Sequence, residues 1–131
     1  MYHTINYNFG LLILRLFLAS VMLLHGYSKI KYGLSSIEIL LVKNNLPAML
    51  AYCVYLGEVL APILLIIGFK TRFAAFLIFV NMIAAVYLAH SNDVINFSQS
   101  GGLVLELQFF YIFTALSLMF MGAGKFSVDR E

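Results

Sequence analysis

Apolar residues fall in four long runs, 9–27, 49–67, 73–89 and 103–121, separated by shorter polar breaks. Each run is roughly 17–20 residues, which at 1.5 Å of rise per residue matches a hydrocarbon core about 30 Å thick. A helix on a soluble surface shows a continuous polar stripe. These runs show none. Their notable polar residues stand singly: Arg15 in the first, Glu58 in the second, Asn81 in the third and Glu106 in the fourth. The pattern predicts four membrane-spanning helices.

The breaks define the connections. Gly68-Phe69-Lys70-Thr71-Arg72 joins the second and third runs and has room only for a tight antiparallel hairpin. Residues 91–102 are rich in Ser, Asn and Gly and read as a solvated loop. Between the first and second runs, Ser35-Ser36-Ile37-Glu38 fits a capping box, with Ser35 as N-cap and Glu38 three residues on. Ile37, Leu40 and Leu41 give the following turns an apolar side, and Asn44-Asn45-Leu46-Pro47 ends them. A short helix within 34–46 is expected in the membrane interface or over the bundle mouth. The fold class is therefore all-α: a membrane-embedded antiparallel four-helix bundle with a short interfacial helix between spans one and two. It forms one domain over 1–131.

Composition agrees. Hydrophobic residues make up 63% of the chain and charged residues 11%, with a mean hydropathy of +0.95. A soluble domain is about half apolar and about one quarter charged. This chain has too little polar surface to cover a soluble globule. The net charge of +2 is not clustered, which argues against a nucleic-acid surface. Cys53 is the single cysteine, so an internal disulfide and a CxxC motif are both excluded. Its apolar surroundings lead us to expect a buried core thiol. No Lys or Arg precedes the first run and Arg15 lies inside it, so that run is expected to be a retained helix rather than a cleaved signal. Four spans place Lys70, Arg72, Lys125 and Arg130 on the side of the termini, and Lys29, Lys31 and Lys43 on the other. That balance points to cytoplasmic termini.

The intramembrane charges carry the candidate chemistry. A charge deep in a bilayer usually faces a partner or a wet cavity. Measured from the ends at Tyr27 and Met49, Arg15 lies roughly 18 Å deep and Glu58 roughly 13 Å. A long Arg side chain bridges that difference, so Arg15 and Glu58 are expected to pair across spans one and two. The pair reads equally as a structural lock or as part of a ligand site. His25 and Lys29 end span one, His90 ends span three, and Glu106 is near the same end of span four. Together they form either a polar mouth for protons or a ligand, or a set of ordinary interfacial residues. The six candidate site residues are thus Arg15, Glu58, Glu106, His25, Lys29 and His90. His25, His90 and Glu106 sit on different spans without HxxxH or ExxH spacing, so no metal is expected. Asn81 reads as an interhelical hydrogen-bonding residue. The aromatic residues suit interface belts and packing, or a quinone slot.

The order of these pieces resembles the DoxX family of small bacterial membrane proteins. Leu14-Arg15-Leu16 opens span one, and His25-Gly26-Tyr27-Ser28-Lys29 is similar to the family's G-x-x-K exit. Leu46-Pro47 precedes span two, and Gly57-Glu58 matches its buried glutamate. Gly68-Phe69-Lys70-Thr71-Arg72-Phe73-Ala74-Ala75 resembles the G-x-x-T-R-x-A-A turn, His90 ends span three and Glu106 matches the glutamate of span four. Gly122-Ala123-Gly124-Lys125-Phe126-Ser127-Val128-Asp129 looks like the G-x-G-x-x-S-x-D tail, with Ala123 where a proline is common.

The resemblance implies a multi-pass protein of the bacterial inner membrane. Relatives are linked to thiosulfate:quinone oxidoreductase and to membrane assemblies that handle oxidative or thiol stress. It therefore implies an accessory or quinone-interacting subunit of a membrane redox system, partnered by a soluble or membrane redox protein. The single cysteine argues against dithiol exchange by this chain alone. No metal, flavin or haem site is evident, which leaves a quinone as the candidate cofactor. A non-enzymatic scaffold or a small-solute permeation protein is the alternative, and homo-oligomers fit either reading.

Overall fold

The computed structural model describes residues 2–130. Its elements are helical, and among the described residues the only β feature is a bridge between Phe97 and Leu103. Helix α1 covers Tyr2–Tyr32 and extends beyond the first apolar run at both ends. It stops at Gly33, whose φ of 85° is left-handed. Helix α2 covers Ser35–Lys43, inside the expected 34–46 segment.

Its start corrects the capping-box expectation. Ser35 lies inside the helix, Leu34 is the N-cap, and no side chain caps the terminus. The Leu34 carbonyl instead accepts from the Ile37 and Glu38 amides, both at 3.0 Å. Leu34 is buried with Leu41 and Ala51, so an apolar anchor sets the start of this helix.

The second apolar run is helical throughout but not uniformly so. A 3-10 segment, Ala48–Cys53, leads to a π turn, Leu56–Leu60, and then to helix α3, Ala61–Ile67. Pro62 supplies a physical reason for the π turn. It has no N–H to donate to the Glu58 carbonyl, and in a regular α-helix its ring would press on that carbonyl. A wider turn relieves the conflict and re-aims the side chains it carries. Helix α4, Thr71–His90, follows a short turn, and a 3-10 turn, Ser91–Asp93, extends it. Helix α5, Glu106–Met121, begins three residues later than the apolar run that announced it.

Among the described residues, three stretches are long and apolar enough to cross a membrane: Tyr2–Tyr32, Ala48–Ile67 and Thr71–Asp93. Helix α5 is apolar but shorter. It packs along α4, while α1 lies against α3, the π turn and α5. The core interleaves Leu11, Leu18 and Met22 of α1 with Leu65, Ile78 and Leu118, and Ala19, Ala61, Ala74, Ala75 and Ala115 let the helices approach closely. Large apolar residues also cover the outside, including Phe17, Phe110 and Phe120. Contiguous apolar surface of this kind is expected where lipid is the solvent. The same fact corrects the reading of Cys53, which is exposed. Outward residues are as apolar as inward ones here, so hydrophobicity does not report burial.

Residues 122–129 turn back over the α3–α4 connection. Gly122 and Gly124 take left-handed φ values of 79° and 74°. A Cβ on Gly124 would come within 3.0 Å of the Asn8 side-chain oxygen, which accepts from the Lys125 amide at 2.8 Å. Val128 and Asp129 donate to the carbonyls of Ile67 and Gly68 at 3.3 and 3.1 Å. The Asp129 carboxylate in turn accepts from the Lys70 amide at the start of α4. The G-x-G-x-x-S-x-D tail is thus a clasp closing one end of the bundle.

Candidate functional site

The six candidate residues do not form one site. Two polar clusters lie on α1, one at Arg15 and one at Lys29, roughly 21 Å apart along the helix axis.

Arg15 belongs to the clasp. It is 1% exposed. Its Nε donates to the Leu65 carbonyl at 3.0 Å, and its terminal nitrogens donate to Ala123 at 2.6 Å, Phe126 at 3.0 Å and Ile66 at 3.5 Å. Leu65 and Ile66 are in the last turn of α3, whose carbonyls carry the negative end of the dipole; the Leu65 carbonyl also accepts from the Gly68 amide at 3.2 Å. Arg15 therefore neutralises a helix C-terminus and ties down the tail, and among the described residues its partners are all main-chain carbonyls. The expected Arg15–Glu58 pair is corrected: backbone carbonyls satisfy the guanidinium.

Glu58 pairs instead with Lys29. The Lys29 ammonium donates to one carboxylate oxygen, and Asn81 Nδ2 of α4 donates to the other at 3.2 Å. The carboxylate is thereby held from two helices. Two glycines permit this approach. A Cβ on Gly26 would fall on the Glu58 carbonyl, and one on Gly57 would fall on the Asn81 side chain. The π turn places Glu58 between the two neighbours, and Tyr55 donates to the Lys29 carbonyl at 3.4 Å.

A cavity of 260 Å³ opens beside this cluster, lined by Lys29, Glu58 and Asn81 together with His25, His90, Gln108 and Tyr111. Met22, Leu40, Met82 and Leu107 are among its apolar walls. The His25 and Tyr111 rings meet edge to face, with centroids 6.1 Å apart. His90 Nδ1 is 3.9 Å from an Asp93 oxygen at the rim. Four of the six candidates therefore share one cavity. Glu106 does not line it: it is exposed in the first turn of α5, its carboxylate over Gly102. Tyr111 and Gln108 were not among the candidates. Their spacing of three residues puts them on one face of α5, and that polar face was the available signal.

Chemically, the cavity offers donors against an apolar wall. An ammonium has three N–H donors, and Lys29 directs one at Glu58. The others are available to an acceptor in the cavity. The residues fit a small, mostly apolar ligand with hydrogen-bond-accepting oxygens better than a polar solute.

The DoxX family pattern matches residues 10–91. A Haemophilus influenzae protein, described only as an uncharacterized protein, is 36% identical over 87 residues. The match covers 66% of this chain and 56% of that protein, so the chain spans little more than half of its relative's length. No solved structure matches the chain. The matched region carries Arg15, Lys29, Glu58 and Asn81 on apolar helices of spanning length, which mark a membrane protein. The chain belongs to the DoxX family.

Proposed function

We propose that this protein is a four-span subunit of a membrane redox system in the bacterial inner membrane, and that its cavity holds the head group of a quinone. Helix α5 is the fourth crossing, both termini face the cytoplasm, and electrons come from a partner protein. One observation carries the reading: a buried Glu58, held by the half-buried Lys29 and Asn81, borders a cavity whose remaining walls are largely apolar and aromatic. Charges are costly inside a membrane, and their usual role there is to face a substrate or a proton path.

The residues fit such a head group. Lys29 and Tyr111 are donors for its carbonyl oxygens. Asn81 and Lys29 hold Glu58 in place, and His25 and His90 line the same cavity as further hydrogen-bonding groups. When bound, a quinone supplies the electron-accepting chemistry that no side chain of this protein supplies. Arg15 has no part in binding; it closes the opposite end of the bundle.

The test is extraction and melting. Purified protein should yield a quinone to organic solvent, and added quinone should raise its melting temperature in detergent. Absence of both effects would reject the reading and favour a scaffold in which Lys29 and Glu58 only lock the helices.

A further inference from the structure

A second hollow of 410 Å³ adjoins the first. Ile37, Val54, Asn81, Ala84 and Leu88 line both. The first hollow holds the ion pair, whereas the second is bounded almost wholly by apolar side chains. Its rim includes Leu50, Phe76 and Val80, which are 44%, 43% and 46% exposed, so it opens on the outer surface of the bundle. In a membrane that surface faces lipid. At the junction, Ile37 of α2 and Leu88 of α4 line both hollows and pack against the same small core of Leu34, Leu41 and Ala51.

We propose that the second hollow holds the apolar tail of the same ligand whose head lies at Lys29, Glu58 and Asn81. This inference rests on the quinone reading and deepens it: the ligand is a lipid-soluble quinone with an isoprenoid or alkyl chain, entering sideways from the bilayer between the second span and α4. Polarity matches position, with hydrogen-bonding groups at the inner end and apolar walls toward lipid. Asn81 is at the junction of the two, so the head stops where the donors begin.

Cys53 supplies the test, since it is exposed and lines the second hollow. Its alkylation by N-ethylmaleimide is followed by intact mass in detergent. Three compounds are compared: tetramethylbenzoquinone, its analogue with a decyl chain in place of one methyl, and decanol. At about ten times its Kd the decyl quinone should slow alkylation about tenfold, because roughly nine-tenths of the sites are filled. Tetramethylbenzoquinone should raise the melting temperature and leave the alkylation rate unchanged. Val80→Trp, at the open rim, should abolish the protection and keep the response to tetramethylbenzoquinone. If the decyl quinone raises the melting temperature but Cys53 reacts at its free rate, the tail assignment is wrong and the head assignment stands. If decanol protects as well as the decyl quinone, the hollow takes any lipid chain and the link to the head is overturned. If neither quinone changes the melting temperature, the head reading fails, and this inference fails with it.

Discussion

Lys29 of α1 and Glu58 of the π turn form an ion pair between two helices, and Asn81 of α4 supports the same carboxylate from the other side. Side-chain exposure is 25% for Lys29 and 7% for Glu58, so neither charge is well served by solvent. Breaking a fully buried pair leaves one uncompensated charge and typically costs about 3–5 kcal/mol; with Lys29 a quarter exposed, and with water defects in lipid, the loss here should be smaller.

The pair should therefore show strong coupling. Lys29→Met and Glu58→Met should each lower the melting temperature in detergent, while the double variant should lose much less than their sum. Arg15→Ala combined with Glu58→Ala should be additive, since those residues share no contact. Additivity at Lys29 and Glu58, or coupling between Arg15 and Glu58, would contradict the geometry.

Arg15 should govern the C-terminal clasp. Hydrogen bonds from a charged donor contribute about 1.5–3 kcal/mol each, so Arg15→Met should destabilise the protein by at least about 3 kcal/mol. Arg15→Lys keeps the charge but lacks the planar fork, and should recover only part of the loss. Hydrogen exchange at 122–129 should accelerate in both variants. Unchanged protection of that stretch would show that the tail holds without Arg15.

Gly26 should tolerate no side chain. A Cβ there meets the Glu58 carbonyl, which is backbone and cannot swing aside. Gly26→Val should lower the melting temperature sharply, whereas Gly10→Val should not do so by this mechanism, since nothing lies within 4 Å of a Cβ at Gly10. Equal effects at the two positions would refute the close crossing of α1 and the π turn.

The helices were legible because each apolar run is long and its breaks are abrupt. Their ends were not: α1 continues through Asn8 and Lys31 because nothing before Gly33 breaks a helix there. The site was half legible. His25, Lys29, Glu58 and His90 share the cavity, but depth along the helices pairs Glu58 with Arg15, whereas its partner is Lys29. Pairing charges by depth assumed that a buried Arg needs a carboxylate. Main-chain carbonyls serve it instead, and they leave no mark in a sequence. The acceptors at Ala123 and Phe126 also depend on the tail folding back, a contact across more than a hundred residues. Cys53 is exposed despite its apolar neighbours, because such neighbours signal burial only when water is the solvent.

Membrane topology is testable with an impermeant thiol reagent on a Cys53→Ala background. Cysteine at position 43 should label from outside intact cells, and cysteine at position 70 only after the cells are opened. Labelling of position 70 from outside would invert the orientation.

The most direct measurement is the dissociation constant of tetramethylbenzoquinone for the wild-type protein and for Lys29→Met/Glu58→Met, by calorimetric titration in detergent. Two apolar residues can replace an ion pair without unfolding the bundle, so the double variant isolates recognition from stability. Loss of even one hydrogen bond worth about 1.4 kcal/mol weakens binding about tenfold, and at least that loss is expected. A folded double variant that binds the quinone as tightly as the wild type would contradict the assignment of the Lys29–Glu58–Asn81 cavity as its site.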